Sequence, residues 1–97
     1  MKAVLIVHNM AIDEEVNSAL SALGIDCYTK FTKVLGKGKV SGPHLNTAVW
    51  PGANNATLVI VEQEKAAEIM QKIREMAAQS YGREGLKAFM WQIEDTA

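Results

Sequence analysis

The sequence contains few of the residues that build disulfide-bonded, zinc-binding or membrane proteins. One cysteine and two histidines exclude an intrachain disulfide framework and are too few for a structural zinc site within one chain. No apolar run approaches the ~20 residues of a membrane-spanning helix. The apolar stretch after Lys2 is also too short for a secretory signal. We therefore expect a soluble cytoplasmic protein.

Charge and length narrow the class further. Ten basic and eleven acidic residues give a net charge of -1, whereas proteins that bind nucleic acid over their whole surface are usually basic. Hydrophobic residues make up 48% of the 97 residues, which is enough for one core, and the chain is too short for two. We predict a single domain, residues 1–97, that does not bind nucleic acid.

Hydrophobic periodicity predicts the order β-α-β-β-α-β. Short runs rich in β-branched and aromatic residues indicate strands at 3–7, 25–35, 56–61 and 86–93, and the composition of 46–50 favours a further short strand. Apolar residues at helical spacing indicate helices at 13–23 and 64–79. We expect Asp13 to cap the first helix and Gly24 to end it.

This element order predicts an α+β fold of the ferredoxin-like βαββαβ type, an antiparallel sheet with both helices on one face. On the last strand, alternation puts Phe89, Trp91 and Ile93 on the face opposite Ala88 and Met90. A chain of this length has no third layer to cover an apolar sheet face. Such a face indicates an interface between copies of the chain, and we predict a homo-oligomer.

Two glycine-containing loops carry positive charge and are candidate binding sites. The first runs from Lys33 to Lys39, and the second is residues 82–85 followed by Lys87. Glycines let backbone amides approach an anion closely and the cations attract it, so a phosphate-bearing ligand suits both loops. A solvated hairpin loop and a helix C-cap with its turn are the alternatives. The candidate ligand-binding residues are Gly36, Lys37, Gly38, Lys39, Gly82, Arg83, Gly85 and Lys87.

Nothing in the sequence makes a positive case for catalysis or for a metal site. It contains no nucleophile motif and no Ser/His/Asp arrangement, so we expect a protein that is not an enzyme. His8 and His44 have no partner at metal-ligand spacing and are expected to be ordinary cleft or loop residues. Cys27 is expected to be a small buried hydrophobe.

The element order, the segment from Lys33 to Gly38 and the C-terminal strand–helix–Gly-x-x-Gly–strand half resemble the PII signal-transduction superfamily, in particular its divergent PII-like proteins. The resemblance covers nearly the whole chain. It implies a ferredoxin-like homotrimer with an effector, ADP, ATP, AMP or a small anion such as bicarbonate, bound between subunits. It also implies a T-loop at about 37–48, a B-loop at about 81–87, and a target protein such as a transporter or an enzyme.

By position, the resemblance would place Gly36, Gly38 and Lys39 at the base of the T-loop near the phosphates. Gly82, Arg83, Gly85 and Lys87 would form the counterpart of the B-loop. The T-loop is shorter than in true PII proteins and has no tyrosine, so uridylylation is not expected there.

Two other functions remain open. A CutA-like trimeric metal-binding protein would need His8, Cys27 and His44 to converge, within or between subunits. A small ferredoxin-like monooxygenase or isomerase would need an open apolar pocket inside one subunit.

Overall fold

The computed structural model describes residues 1–36, 53–79, 81 and 85–97, which form a four-stranded antiparallel sheet and two helices. The strands are β1 (Lys2–Asn9), β2 (Thr29–Val34), β3 (Asn54–Val61) and β4 (Lys87–Gln92), and the helices are α1 (Asp13–Ala22) and α2 (Gln63–Ala78). The order β2-β3-β1-β4 leaves β2 and β4 as the edge strands. This confirms the predicted ferredoxin-like fold. Neither helix has the length and apolar character that crossing a membrane requires.

Both helices pack on one face of the sheet. That face carries Val4 and Ile6 of β1 and Val59 of β3, and it receives Leu20 of α1 and Ile69 of α2. Each of these side chains is at most 1% exposed, and burying one contributes about 1.5–3 kcal/mol to folding. The apolar stripes predicted from the sequence are therefore the core contacts, and they hold both helices on the same side.

The start of α1 differs from the prediction. A 3-10 turn, Met10–Ile12, precedes the helix, and Asn9 caps this turn by accepting a hydrogen bond from the N–H of Ala11. The prediction that Asp13 caps the helix is wrong, because Asp13 is already the first helical residue and its carboxylate bonds to side chains of neighbouring elements. This early acidic residue therefore has a tertiary partner instead of a capping function.

The end of α1 is a Schellman motif, as Gly24 predicted. The N–H of Gly24 donates to the carbonyl of Ser21, and the N–H of Ile25 donates to the carbonyl of Leu20. Since Ile25 is buried and belongs to this cap, it cannot start a strand. For this reason β2 begins only at Thr29, later than predicted from composition.

Strand β3 begins slightly earlier than predicted because two asparagines extend it. Asn54 pairs with Asn9, and Asn55 pairs with His8, at the end of β1. The predicted short strand at 46–50 and the predicted T-loop at 37–48 lie outside the described residues. Directly before β3, the described residues begin at Ala53.

The face of the sheet opposite the helices is apolar and open, as the alternation in β4 predicted. Cross-strand pairing aligns Leu5 with Leu58 and Phe89, and Ala3 with Ile60 and Trp91. We call this surface the open face. Its large exposed members are Phe31 at 48%, Ile60 at 41%, Phe89 at 51% and Trp91 at 46%.

The buried hydroxyl of Thr57 leads to a prediction about stability. Thr57 is fully buried, and its Oγ1 has no hydrogen-bond partner among the described residues. Thr57→Val keeps the branched shape and removes a polar group that burial separates from water. We expect the free energy of unfolding to rise by about 1 kcal/mol, measured by urea denaturation.

Thr57→Ser is the matched control for that measurement. It keeps the hydroxyl and removes a methyl group, so we expect it to be less stable than wild type. A Thr57→Val protein less stable than wild type would show that the hydroxyl does bond in the native state.

Candidate functional site

Of the candidate ligand-binding residues, the structure describes Gly36, Gly85 and Lys87. The other candidates lie outside the described residues and stay predictions: Lys37, Gly38, Lys39, Gly82 and Arg83. The geometry of the site is therefore built from the strand ends that lead into the two loops.

The two candidate glycines that the structure describes occupy restricted positions. A Cβ at Gly36 would lie 2.8 Å from the Nδ2 of Asn54, too close unless the asparagine side chain moves. Gly85 has a φ of 71°, in the left-handed region that side chains with a Cβ disfavour. Each glycine thus has a structural reason to be glycine, independent of any ligand.

Gly36 and Lys87 lie at the same end of the sheet but on opposite edges. Val34, at the end of β2, pairs with Asn54, and Asn54 pairs with Asn9 at the end of β1. Lys87 starts β4 beside that same end of β1. Two central strands separate the edge strands, which corresponds to about 14 Å at the usual strand spacing. The described part of one subunit therefore does not bring Gly36 and Lys87 into one site.

A polar cluster beneath the start of α1 was not predicted from the sequence. Its members come from β1, α1, β2 and β3, and we call them the Asp13 cluster: His8, Asp13, Asn17, Lys30 and Asn55. Asp13 Oδ1 accepts hydrogen bonds from Lys30 Nζ at 2.9 Å and from Asn55 Nδ2 at 2.8 Å. Asp13 Oδ2 accepts from Lys30 Nζ at 3.1 Å and from Asn17 Nδ2 at 3.2 Å.

The environment of Asp13 favours its ionised form. Partial burial opposes ionisation, but the hydrogen bonds from Asn55 and Lys30 and the positive charge of Lys30 outweigh it. The pKa of Asp13 therefore lies below its ordinary value of 3.8. The side chains of Lys30 and Asp13 are 18% and 26% exposed, so their ion pair is shielded from much of the solvent.

His8 is fully buried at the edge of the Asp13 cluster. Its Nδ1 lies 2.8 Å from the carbonyl oxygen of Asn9, and since a carbonyl can only accept, Nδ1 carries the proton. Its Nε2 lies 3.6 Å from Asp13 Oδ1, and no described residue bonds to it. His8 thus packs under α1, inside the fold and not in an open cleft.

The sequence contains a weak signal for this cluster. On β1, His8 follows Val4 and Ile6 as the next alternate residue on the buried face. On β3, Asn55 lies on the same buried face as Thr57 and Val59. Polar residues at core positions of strands indicate a polar network. Spacing cannot identify the partners, because they come from separate elements.

The described residues form two surface grooves. The first lies at the end of the sheet opposite Gly36 and Lys87, and its charged lining residues are acidic apart from one lysine: Asp26, Glu62, Glu64, Lys65 and Glu68. The second lies between α1 and α2 and is lined partly by Glu14, Glu15 and Lys72. The acidic side chains in both grooves do not fit the predicted anionic ligand.

Cys27 is exposed in the first groove, so the prediction that it is buried is wrong. It follows the cap of α1 and precedes β2, where no sheet covers it. His8 lies at the other end of β1, and His44 lies outside the described residues. Within the described ranges, no three His, Cys, Asp or Glu side chains are grouped as metal ligands.

Comparison with solved structures finds the same fold in PII-like proteins. CPII from Thiomonas intermedia K12, bound to ADP, AMP and bicarbonate, has a TM-score of 0.71 and 17% identity, covering 95% of this chain and 88% of CPII. Its apo form has a TM-score of 0.69 and 16% identity, covering 93% and 85%. A protein of Thermus thermophilus, described as a PII-like signalling protein, has a TM-score of 0.67 and 23% identity, covering 93% and 83%.

Sequence comparison identifies the family. Among curated proteins, none matches this sequence. The family model of nitrogen regulatory protein P-II matches residues 1–97, which confirms the resemblance carried by the element order and the segment from Lys33 to Gly38. The chain therefore belongs to the nitrogen regulatory protein P-II family.

Proposed function

We propose that this protein is a cytoplasmic regulatory homotrimer, a single domain per subunit, that binds an adenine nucleotide in clefts between subunits. In this proposal the ligand contacts the loop after Gly36 from one subunit and the loop before Lys87 from its neighbour. The segment 37–48 contacts a partner protein and signals to it whether the nucleotide is bound. The protein is a sensor without catalysis of its own.

The placement of Gly36 and Lys87 is the observation that carries this proposal. At one end of the sheet, Gly36 follows the edge strand β2 and Lys87 begins the edge strand β4. When subunits form a closed ring with their open faces inward, the β2 edge of one subunit comes next to the β4 edge of the following subunit. Gly36 of one subunit and Lys87 of the next, the described ends of the two loops, then come together at each boundary, whereas within a single chain they lie at opposite edges of the sheet.

The open face supports the assembly of such a ring. Phe31, Ile60, Phe89 and Trp91 are each between 41% and 51% exposed in the isolated chain. Burying the remaining apolar surface of each side chain contributes about 1 kcal/mol per residue per subunit. Four such residues in every subunit favour association over an exposed apolar sheet face.

The positive charge at the rim of the open face favours a phosphate-bearing ligand. Lys87 is exposed, and alternation along β4 puts it on the side of Phe89 and Trp91, at the rim of the open face. A cation at the rim of an apolar interface can bind an anion held between two copies without being buried unpaired. The presence of ADP and AMP in CPII, which has the same fold, supports adenine nucleotides as the ligand class.

We expect ADP to raise the melting temperature of the wild-type protein. A ligand that binds only the native state stabilises it by RT ln(1 + [L]/Kd), about 2.7 kcal/mol at one hundred times Kd. Differential scanning fluorimetry with ADP, AMP and ATP measures the shift, and isothermal titration calorimetry gives the affinity. Lys87→Ala removes a charged partner of the phosphates and should weaken ADP binding about tenfold.

Arg74→Ala is the control for the loss of one positive charge. Arg74 is exposed on α2, on the side of the sheet that the helices cover and not on the open face, and its replacement should leave the ADP affinity within twofold of wild type. The proposed function is wrong if none of the three nucleotides shifts the melting temperature at millimolar concentration.

A further inference from the structure

Strand β2 contains a bulge just before the loop that the proposed function assigns to the ligand. Phe31 pairs with Ala56 and Val34 pairs with Asn54, so Thr32 and Lys33 together oppose a single residue of β3. The φ of Lys33 is 59°, in the left-handed region that residues with a Cβ rarely adopt. The bulge turns the end of β2 and so sets the direction in which the chain leaves the sheet toward Gly36.

Asn55 is the β3 residue opposite the bulge, and its side chain bridges the bulge to α1. Its Oδ1 accepts a hydrogen bond from the backbone N–H of Lys33 at 3.2 Å. Its Nδ2 donates to Asp13 Oδ1 at 2.8 Å. Asn55 is 4% exposed, so water does not readily replace either bond. The left-handed conformation at Lys33 is thus stabilised by the side chain of Asn55, which is in turn fixed by its hydrogen bond to Asp13.

Asp13 fixes the far side of this bridge. It accepts from Lys30, on β2 before the bulge, and from Asn17 one turn along α1. The chain of β2 is therefore attached to Asp13 before the bulge, directly through Lys30, and within the bulge, through Asn55 at Lys33. Such a doubly attached bulge has one preferred geometry.

We propose that Asn55 is a positioning residue for nucleotide binding, which it supports by holding the Lys33 bulge and with it the start of the ligand loop at Gly36. Asn55 contacts the bulge and the Asp13 cluster and does not contact the ligand. This inference rests on the proposed function, since the loop matters for binding only if the nucleotide contacts it.

The test compares Asn55→Leu with the wild-type protein. Leucine has a similar size and no polar atoms, so the Lys33 N–H loses its acceptor and Asp13 loses one donor. We expect the Lys33 amide to exchange with solvent at least tenfold faster, measured by hydrogen exchange and NMR. We also expect the Kd for ADP to rise at least fivefold, measured by calorimetry.

Ile69→Val is the control for a general loss of stability. Ile69 is a fully buried core residue of α2, and this change lowers the melting temperature without altering the bulge. We expect less than a twofold change in the ADP Kd and in the exchange of the Lys33 amide relative to its neighbours. A merely structural function of Asn55 would give both variants the same pattern.

The outcomes separate this inference from the proposed function. If wild-type protein binds no adenine nucleotide, the proposed function fails and the inference fails with it. If wild type binds ADP and Asn55→Leu binds it equally well, only the inference is overturned. Should Asn55→Leu not fold, wild type alone decides: a Lys33 amide that exchanges as fast as an unstructured peptide overturns the bridge.

Discussion

Trp91→Glu is expected to convert the proposed homotrimer into monomers. Trp91 is 46% exposed in the isolated chain, so a glutamate there can keep its carboxylate in water in the monomer. In the ring, the same carboxylate would be buried against apolar side chains of the neighbouring subunits and would cost several kcal/mol at each interface. Size-exclusion chromatography with light scattering at micromolar concentration measures the change in mass.

Gln92→Glu is the matched control for this substitution. Gln92 is the next residue along β4 and is exposed on the other face of the sheet. The substitution therefore introduces the same charge away from the open face. We expect it to remain trimeric. A wild-type protein that is monomeric at micromolar concentration, or a Trp91→Glu protein with unchanged mass, contradicts the ring.

Asp13→Asn is expected to lower the free energy of unfolding by about 2 kcal/mol at neutral pH. The substitution keeps the size of the side chain and removes its charge. Lys30 then remains as a largely buried cation without a counterion, and one amide N–H₂ faces the N–H₂ of Asn17. Urea denaturation of both proteins measures the difference.

The pH dependence of this difference has a definite sign. The pKa of Asp13 is 3.8 when unperturbed and lower in the fold, so its ionised form stabilises the native state fully above 3.8. That contribution is lost as the pH falls below 3.8 and through the lower value of the native state. The gap between wild type and Asp13→Asn should therefore be constant near neutral pH and narrow in acid.

Glu14→Gln is the control for loss of a negative charge in the first turn of α1. Glu14 is exposed, and its replacement should change the free energy of unfolding by less than about 0.5 kcal/mol. Equal effects of the two substitutions, or a gap that does not narrow in acid, would contradict an ion-paired Asp13.

Local sequence patterns predicted the helices well and their connections less well. Leu20 belongs to the apolar stripe of α1 and Ile69 to that of α2, and each stripe has helical spacing because a helix presents every third or fourth residue to the core. Both residues are buried as predicted. Ile25 has the composition of a strand residue but donates its N–H to the cap of α1. Composition alone cannot distinguish these two uses of an apolar residue next to a helix end.

The polar interior could not be predicted in the same way. Asp13 has the position of a helix-capping residue and Lys30 that of a solvated residue in a strand. Their pairing depends on how α1 lies across β2 and β3. That position is set by core contacts between residues that are distant in the sequence. Asn55 is 42 positions from Asp13 in sequence, and no periodicity connects them.

The sequence by itself determined the element order, the apolar stripes of the helices and the alternation that leaves Phe89 and Trp91 on an open face. These follow from short-range geometry, since a helix or strand repeats every few residues. Only the tertiary structure decided that Asp13 is the centre of a partly buried polar cluster and that Gly36 and Lys87 lie at opposite edges at one end of the sheet. Strand order and helix packing bring together residues that are distant in the chain, and these long-range contacts leave no repeating pattern in the sequence.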